Sequence, residues 1–358
     1  MAAERAAVPA RTPLLRLLLR WRERDREAWI AGTTPGDPFD DAKCADHLSP
    51  SSVAKALRGY DRYQAFLAAR GRLDPSADLM ALMTERLRRA YFVSMRRAGN
   101  APYTIIGRFA ELRMAVRIMA PEADAGQVVR LGGVTVYSLL PKTKRNLLVP
   151  DAGVLLAWAL GMMDEAMAAP DTLAARLALR DGLILAMLAA RGRRLRAMVA
   201  LCVGQELKEQ GDRYMIDLPQ HLVKTKKPDR FLLPAELTPY MRHYLAVVRP
   251  ALLKRHNHAA LWPTQSGKPL TAKGFQAMVF RRTRVRFGTE FGPHRFRHAL
   301  DTTAALRAPD QPELGARVLN ISPAVSEAHY NRAGQIEATM MLDTINQRRR
   351  KELREQFG

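Results

Sequence analysis

The chain has 358 residues, 57 of them Lys or Arg against 35 Asp or Glu, for a formal charge of +22, and 47% are hydrophobic. That apolar fraction supports packed cores and excludes a disordered basic tail, and no apolar run approaches the roughly 20 residues needed to cross a bilayer. Cys44 and Cys202 stand far apart without Cys-x-x-Cys or Cys/His spacing, which argues against a disulfide framework and a zinc site and for a reducing cytosol.

The length suggests two domains, and the charge points to a polyanionic partner, with nucleic acid ahead of a merely basic surface. Pro13 to Ile30 reads as one amphipathic helix, since arginines interrupt Leu14-Leu15-Arg16-Leu17-Leu18-Leu19-Arg20 and deny it the character of a signal peptide. Turn residues from Gly32 to Pro38 break it. Ser51 to Ala69 follows a Ser-Pro-Ser-Ser cap signal and places Val53, Leu57, Tyr60, Tyr63 and Leu67 at helical spacing. Helices over Ala77 to Arg97 and Ala101 to Met119 are separated by the stop signal Gly99-Asn100, so the N-terminal part is all helical.

Pro121 to Pro150 shows little periodicity and contains the basic stretch Lys142-Thr143-Lys144-Arg145, a linker whose Lys142, Lys144 and Arg145 either contact phosphates or are merely solvated. Asp151 to Ala190 reads as helix with a break near Pro170. Tyr214 to Leu218 and Arg230 to Leu233 read as short strands around a Lys-Thr-Lys-Lys-Pro-Asp turn. Helices follow at Thr238 to Leu253, Thr271 to Arg286, Pro293 to Leu306, Gln311 to Leu319, Pro323 to Tyr330 and Gln335 to about Gln356. The expected class is therefore mainly α with one small antiparallel sheet. Its organisation is a helical extension over 1–40, a helical domain over 41–135, a basic linker over 136–150 and a second domain over 151–358.

The chemistry concentrates at Pro293-His294-Arg295-Phe296-Arg297-His298. Proline at a helix start fixes the first turn, and His294, Arg297 and His298 at i, i+3 and i+4 project from one face beside unpaired backbone N–H groups, which makes an oxyanion site. Three other features bear on it. Arg191-Gly192-Arg193-Arg194-Leu195-Arg196 ends an apolar helix with guanidiniums suited to phosphate, Lys224, Lys226 and Lys227 crowd the hairpin turn, and Tyr330 lies near the end of a short helix after Ser322-Pro323. Arg281, Arg282 and Arg284 suggest a phosphate-contacting face, with a solvated helix end as the alternative. His256-Asn257-His258 lacks surrounding ligands and reads as a surface loop.

The order Arg, hairpin Lys, His-x-x-Arg-His, Tyr resembles the tyrosine recombinase or phage integrase family over nearly the whole chain. The resemblance implies a helical core-binding domain followed by a mixed α/β catalytic domain. It maps the first arginine of Gly-x-Arg onto Arg194 and the hairpin lysine onto Lys224, with Lys226 as the substitute, because the turn length leaves the choice open. His294 and Arg297 match His-x-x-Arg, and Tyr330 matches the nucleophile. Leu261-Trp262-Pro263 through Thr271 also looks like the family's segment ahead of the helix preceding His-x-x-Arg.

The implied reaction is DNA breakage and rejoining through a 3′-phosphotyrosyl intermediate, which conserves the phosphodiester energy and calls for no ATP, metal or other cofactor. Arg194 and Arg297 would neutralise the non-bridging oxygens, His294 would add a hydrogen bond or assist proton transfer, Lys224 would protonate the leaving oxygen, and His298 would support Arg297. The implied partners are double-stranded DNA, further copies of the chain in a tetrameric synapse, and accessory DNA-bending proteins, in the cytoplasm on the nucleoid and away from membranes. The apolar stripe Ile336, Met340, Met341 and Ile345 would serve either that assembly or the chain's own core.

Two positions depart from the family. Ala197 stands where Glu is common, and Asn320-Ile321 stand where Gly followed by His or Trp is usual. Ile321 cannot donate a hydrogen bond to phosphate, and His329 beside Tyr330 is the candidate to compensate. These departures keep two rival functions open: a recombinase-like DNA-binding protein with a weakened or inactive site, and a type IB topoisomerase-like enzyme.

Overall fold

The computed structural model describes residues 11–35, 43–141, 150–223 and 227–329. The chain divides into two compact units, Met1–Asn146 and Leu147–Gly358, each with its own apolar core.

Unit 1 contains α1 (Arg11–Leu18), α2 (Glu23–Thr33), α3 (Pro50–Ala68), α4 (Glu85–Arg97) and α5 (Pro102–Met119). The single helix expected from Pro13 to Ile30 is two, because Arg22 is extended (φ −54°, ψ 145°). The break lets Trp21 pack edge-on against both Trp29 and Tyr60, with ring centroids 5.6 and 4.8 Å apart. The helix expected from Ala77 begins only at Glu85. Ahead of it the Asp78 carboxylate accepts from the Ala81 N–H at 2.7 Å, a side-chain turn that competes with helix. After α5 the chain forms a tight turn at Ala125–Val129 and a small antiparallel hairpin of β1 (Arg130–Leu131) and β2 (Val134–Thr135). Val128, Leu131, Val136 and Leu140 are buried in the unit's core.

Unit 2 is built on α6 (Ala152–Ala168) packed against α7 (Leu173–Arg191). Thr172 caps the start of α7 by accepting from the Ala175 N–H, and every residue from Leu179 to Ala189 is buried. Then come α8 (Leu195–Ala200) and a three-stranded antiparallel sheet in the order β3 (Leu207–Gln210), β4 (Arg213–Leu218), β5 (Asp229–Leu232). Strand β3 escaped the sequence pattern because only Leu207 is buried and Lys208, Glu209 and Gln210 all face solvent, so no alternation marks it. The register pairs Ile216 with both Leu207 and Phe231.

Thr238–Leu253 is helical throughout, as α9 (Thr238–His243), a wide π turn at Tyr244–Val248 and α10 (Arg249–Leu253). The Tyr244 hydroxyl donates to the Leu261 carbonyl at 2.8 Å, and the indole of fully buried Trp262 donates to the Met198 carbonyl of α8 at 2.9 Å. The remaining helices are α11 (Ala272–Phe287), α12 (Pro293–Arg307), α13 (Leu314–Leu319) and α14 (Pro323–His329). The protein is thus mainly helical with small antiparallel sheets. No described helix is long and apolar enough to cross a membrane.

Candidate active site

Gly192 ends α7 in the left-handed conformation (φ 54°, ψ 34°), which glycine adopts without a Cβ penalty. This turn throws Arg193 and Arg194 in front of α8, and Arg194 opens that helix as its extended cap residue. The two adjacent arginines then part company. Arg193 is buried, and its guanidinium grips the Asp229 carboxylate at the head of β5, with Nε 2.6 Å and Nη2 2.9 Å from its oxygens. It also donates to the carbonyls of Arg191 and Val318 and lies 4.1 Å from the centre of the Phe231 ring. Burial, opposed by Asp229, lowers its pKa to about 10. Arg194 is half-buried, and among the described residues no carboxylate pairs with it.

Arg297 is 1% exposed, the most deeply buried arginine or lysine among the described residues. Proline at the first turn of α12 sets the start of the helix, and one turn later the Arg297 guanidinium donates to the Gly192 carbonyl and to the Leu319 carbonyl at 3.3 Å. It thereby ties the turn that carries Arg194 to the end of α13. His298 is buried edge-on against exposed His294, ring centroids 4.9 Å apart and planes at 87°.

Arg194, Arg297, Ala197, Asp229 and Asn320 line one pocket, together with Val223, the last described residue before the hairpin turn. Asn320 occupies the left-handed region (φ 50°, ψ 58°) at the end of α13, a conformation Asn tolerates better than most residues, so it fills the place of a glycine without breaking the turn. Ile321 turns to an apolar cluster with Leu300 and Leu319. Its side chain is a packing group.

Lys224, Lys226 and Tyr330, the linker residues Lys142, Lys144 and Arg145, and the stripe from Ile336 to Ile345 lie outside the described residues, as does the side chain of His329. The arginines of α11 face carboxylates of the protein itself. Arg282 donates to fully buried Asp181 at 2.9 Å, Arg281 is 3.7 Å from the same carboxylate, and Arg284 pairs with Glu290. Arg282 is thus an anchor of α11 on α7, while Arg281 and Arg284 remain largely exposed.

Sequence reasoning passed over Arg193, Asp229 and Asp301. The one signal for Arg193 was its place beside Arg194 on a buried helix end. Asp301 of α12 is 2% exposed, and its carboxylate accepts from the Ser326 hydroxyl of α14 at 2.5 Å. Burial raises its pKa, opposed by that hydrogen bond and by Arg297.

Residues 162–308 match the phage integrase family. A tyrosine recombinase XerC of Herpetosiphon aurantiacus is 26% identical over 185 residues, an alignment that spans 50% of this chain and 57% of that protein. The fold is similar to that of XerH site-specific recombinase in its post-cleavage complex with a palindromic difH substrate, with a TM-score of 0.57 and 16% identity over 92% of this chain and 96% of that one. The XerH pre-cleavage complex with difH gives 0.56 and 15% over 91% and 96%. The match to the phage integrase family thus falls within unit 2, and the chain spans a little over half the length of the tyrosine recombinase it resembles.

Proposed function

We propose that the chain is a site-specific DNA recombinase or integrase that breaks and rejoins duplex DNA through a covalent bond to Tyr330. The observation that carries this reading is the convergence of Arg194 and Arg297 on one pocket, with Arg193 already neutralised by Asp229 and Arg194 without a carboxylate partner among the described residues. A paired guanidinium is a structural group; an unpaired one beside it is available to a phosphate.

In the reaction so read, the Tyr330 oxygen attacks the scissile phosphorus, the bond from phosphorus to the 5′ oxygen breaks, and a 3′-phosphotyrosyl ester forms. The imidazole of His294 accepts the proton leaving the tyrosine, and the ammonium of Lys224, or of Lys226 in its place, protonates the departing 5′ oxygen. Arg194 and Arg297 stabilise the charge gathering on the non-bridging oxygens, a role for which donors fixed before the reaction are most effective. Religation is the reverse transfer to the 5′ hydroxyl of another strand. Exposed Arg281 and Arg284 add to the electrostatic attraction for the duplex backbone.

The test is a nicked suicide duplex, its sequence selected by the full chain from a random library. Wild-type protein forms a covalent protein–DNA adduct and Tyr330→Phe forms none. A second reading, a DNA-binding protein that does not cut, is favoured by one observation: Ile321 is packed into an apolar cluster and cannot donate a hydrogen bond to phosphate. Binding without any adduct selects it. Relaxation of supercoiled plasmids that lack the selected site would instead indicate a topoisomerase.

A further inference from the structure

We propose that Asp301, Gly315 and Ser326 form a latch that positions α14, the helix that ends one residue before Tyr330 in the sequence, and so sets the approach of the tyrosine to phosphate. The inference rests on the reading of Tyr330 as nucleophile. Three helices meet at the latch. Asp301 lies one turn beyond Arg297 on α12, Gly315 is in the first turn of α13, and Ser326 lies on α14, four positions before Tyr330 in the sequence.

The fit is specific at each corner. A Cβ added at Gly315 would overlap Asp301 Oδ1, so the carboxylate has its place only because position 315 has no side chain. The other carboxylate oxygen, Oδ2, accepts from the Ser326 hydroxyl at 2.5 Å, and both side chains are buried, at 2% and 7% exposure.

A helix as short as α14, Pro323–His329, does not hold its place by helical propensity. Of residues 323–327, Ser326 alone is buried; Pro323, Ala324, Val325 and Glu327 are exposed. Among the described side chains of α14 the seat is therefore a polar contact, directional where an apolar one would slide. A buried carboxylate is an unfavourable way to fill space, so its presence here is accounted for by the bond it accepts. Because Asp301 and Arg297 share one face of α12, the helix that carries the phosphate-binding guanidinium also carries the anchor for the nucleophile's helix. Asp301 and Ser326 are accordingly positioning residues.

The test compares Ser326→Ala with the hydroxyl-retaining Ser326→Thr and with Gly315→Ala, in full-length protein on the selected suicide duplex. Ser326→Ala and Gly315→Ala should slow adduct formation at saturating DNA by about 10- to 100-fold, the usual penalty for a misplaced reacting group, with DNA affinity unchanged. Ser326→Thr should restore most of the rate. Wild-type rates in Ser326→Ala, alongside no adduct in Tyr330→Phe, would overturn the latch and leave the nucleophile standing. Parallel loss of DNA affinity and rate would also overturn it, by showing a purely structural contact. An adduct in Tyr330→Phe would overturn the nucleophile and the latch with it.

Discussion

Each unit buries charge, and one cluster in each does so with a logic opposite to the other's. In unit 1 the centre is a carboxylate: Asp25, 2% exposed, accepts from the Arg22 guanidinium at 2.6 and 2.8 Å, from the Tyr60 hydroxyl at 2.8 Å and from the Gln64 amide. The donors surround the acid until its charge is accounted for, and burial together with Asp25 pushes the Tyr60 phenol far above its ordinary value. In the unit 2 pocket the centre is a set of cations. Arg193, Arg194 and Arg297 line one pocket with a single carboxylate, Asp229, and Arg297 donates to the main-chain carbonyls of Gly192 and Leu319. Carbonyl dipoles hold a guanidinium in place without cancelling its charge. A neutralised cluster specifies packing, whereas three guanidiniums lining one pocket with one carboxylate suit the anion that the proposed function requires.

That contrast can be broken most forcefully in unit 1. Asp25→Ala leaves the nearly buried Arg22 side chain without its acid and should cost about 3–5 kcal/mol in urea unfolding, as for other buried pairs cut on one side. In unit 2, Asp229→Ala should likewise destabilise by about 3 kcal/mol, and the double replacement Arg193→Met with Asp229→Leu should recover most of that stability. Adduct formation by the double variant should nevertheless stay at least about tenfold slow, because the guanidinium's ties to the Arg191 and Val318 carbonyls are gone. Wild-type cleavage by that variant would reduce Arg193 and Asp229 to a packing device like Asp25.

The smallest expected effect concerns Asp301. Its folded-state pKa lies above the unfolded value, so the native state holds the proton more tightly and stability falls as pH rises through the ordinary carboxylate range towards the raised value. Asp301→Asn keeps an acceptor for Ser326 and does not titrate. Its melting temperature relative to wild type should therefore be higher at about pH 7 than at about pH 4. A difference independent of pH would show that burial does not penalise this carboxylate.

The sequence showed a great deal wherever function is local in the chain. Pro293, His294, Arg297 and His298 lie within one helical turn and a half, and the structure places them on α12 as periodicity required. Arg194 was reached through a resemblance, and the structure separates it from Arg193 by burial and pairing. What stayed hidden was long range. Arg193 and Asp229 are 36 positions apart, and the Arg282 bond to Asp181 spans 101, so no periodicity marks either. The run Arg281-Arg282-Thr283-Arg284 looked uniform for the same reason, since composition does not say which arginine turns inward. Helix boundaries failed where side chains outbid the backbone, at Asp78 ahead of α4 and at the Trp21 break before α2.

The support behind Arg194 has a consequence for ionic strength. Helix α8 is held from the rear by the Trp262 indole on the Met198 carbonyl, and the neighbouring segment by the Tyr244 hydroxyl on the Leu261 carbonyl; both bonds are neutral and fully enclosed. Added salt competes with protein cations for DNA phosphates, yet it finds no exposed charge in this brace to screen. If the chain binds DNA as proposed, concentrations that strip it from a duplex should leave the arginine's platform undisturbed, ready to engage again on dilution.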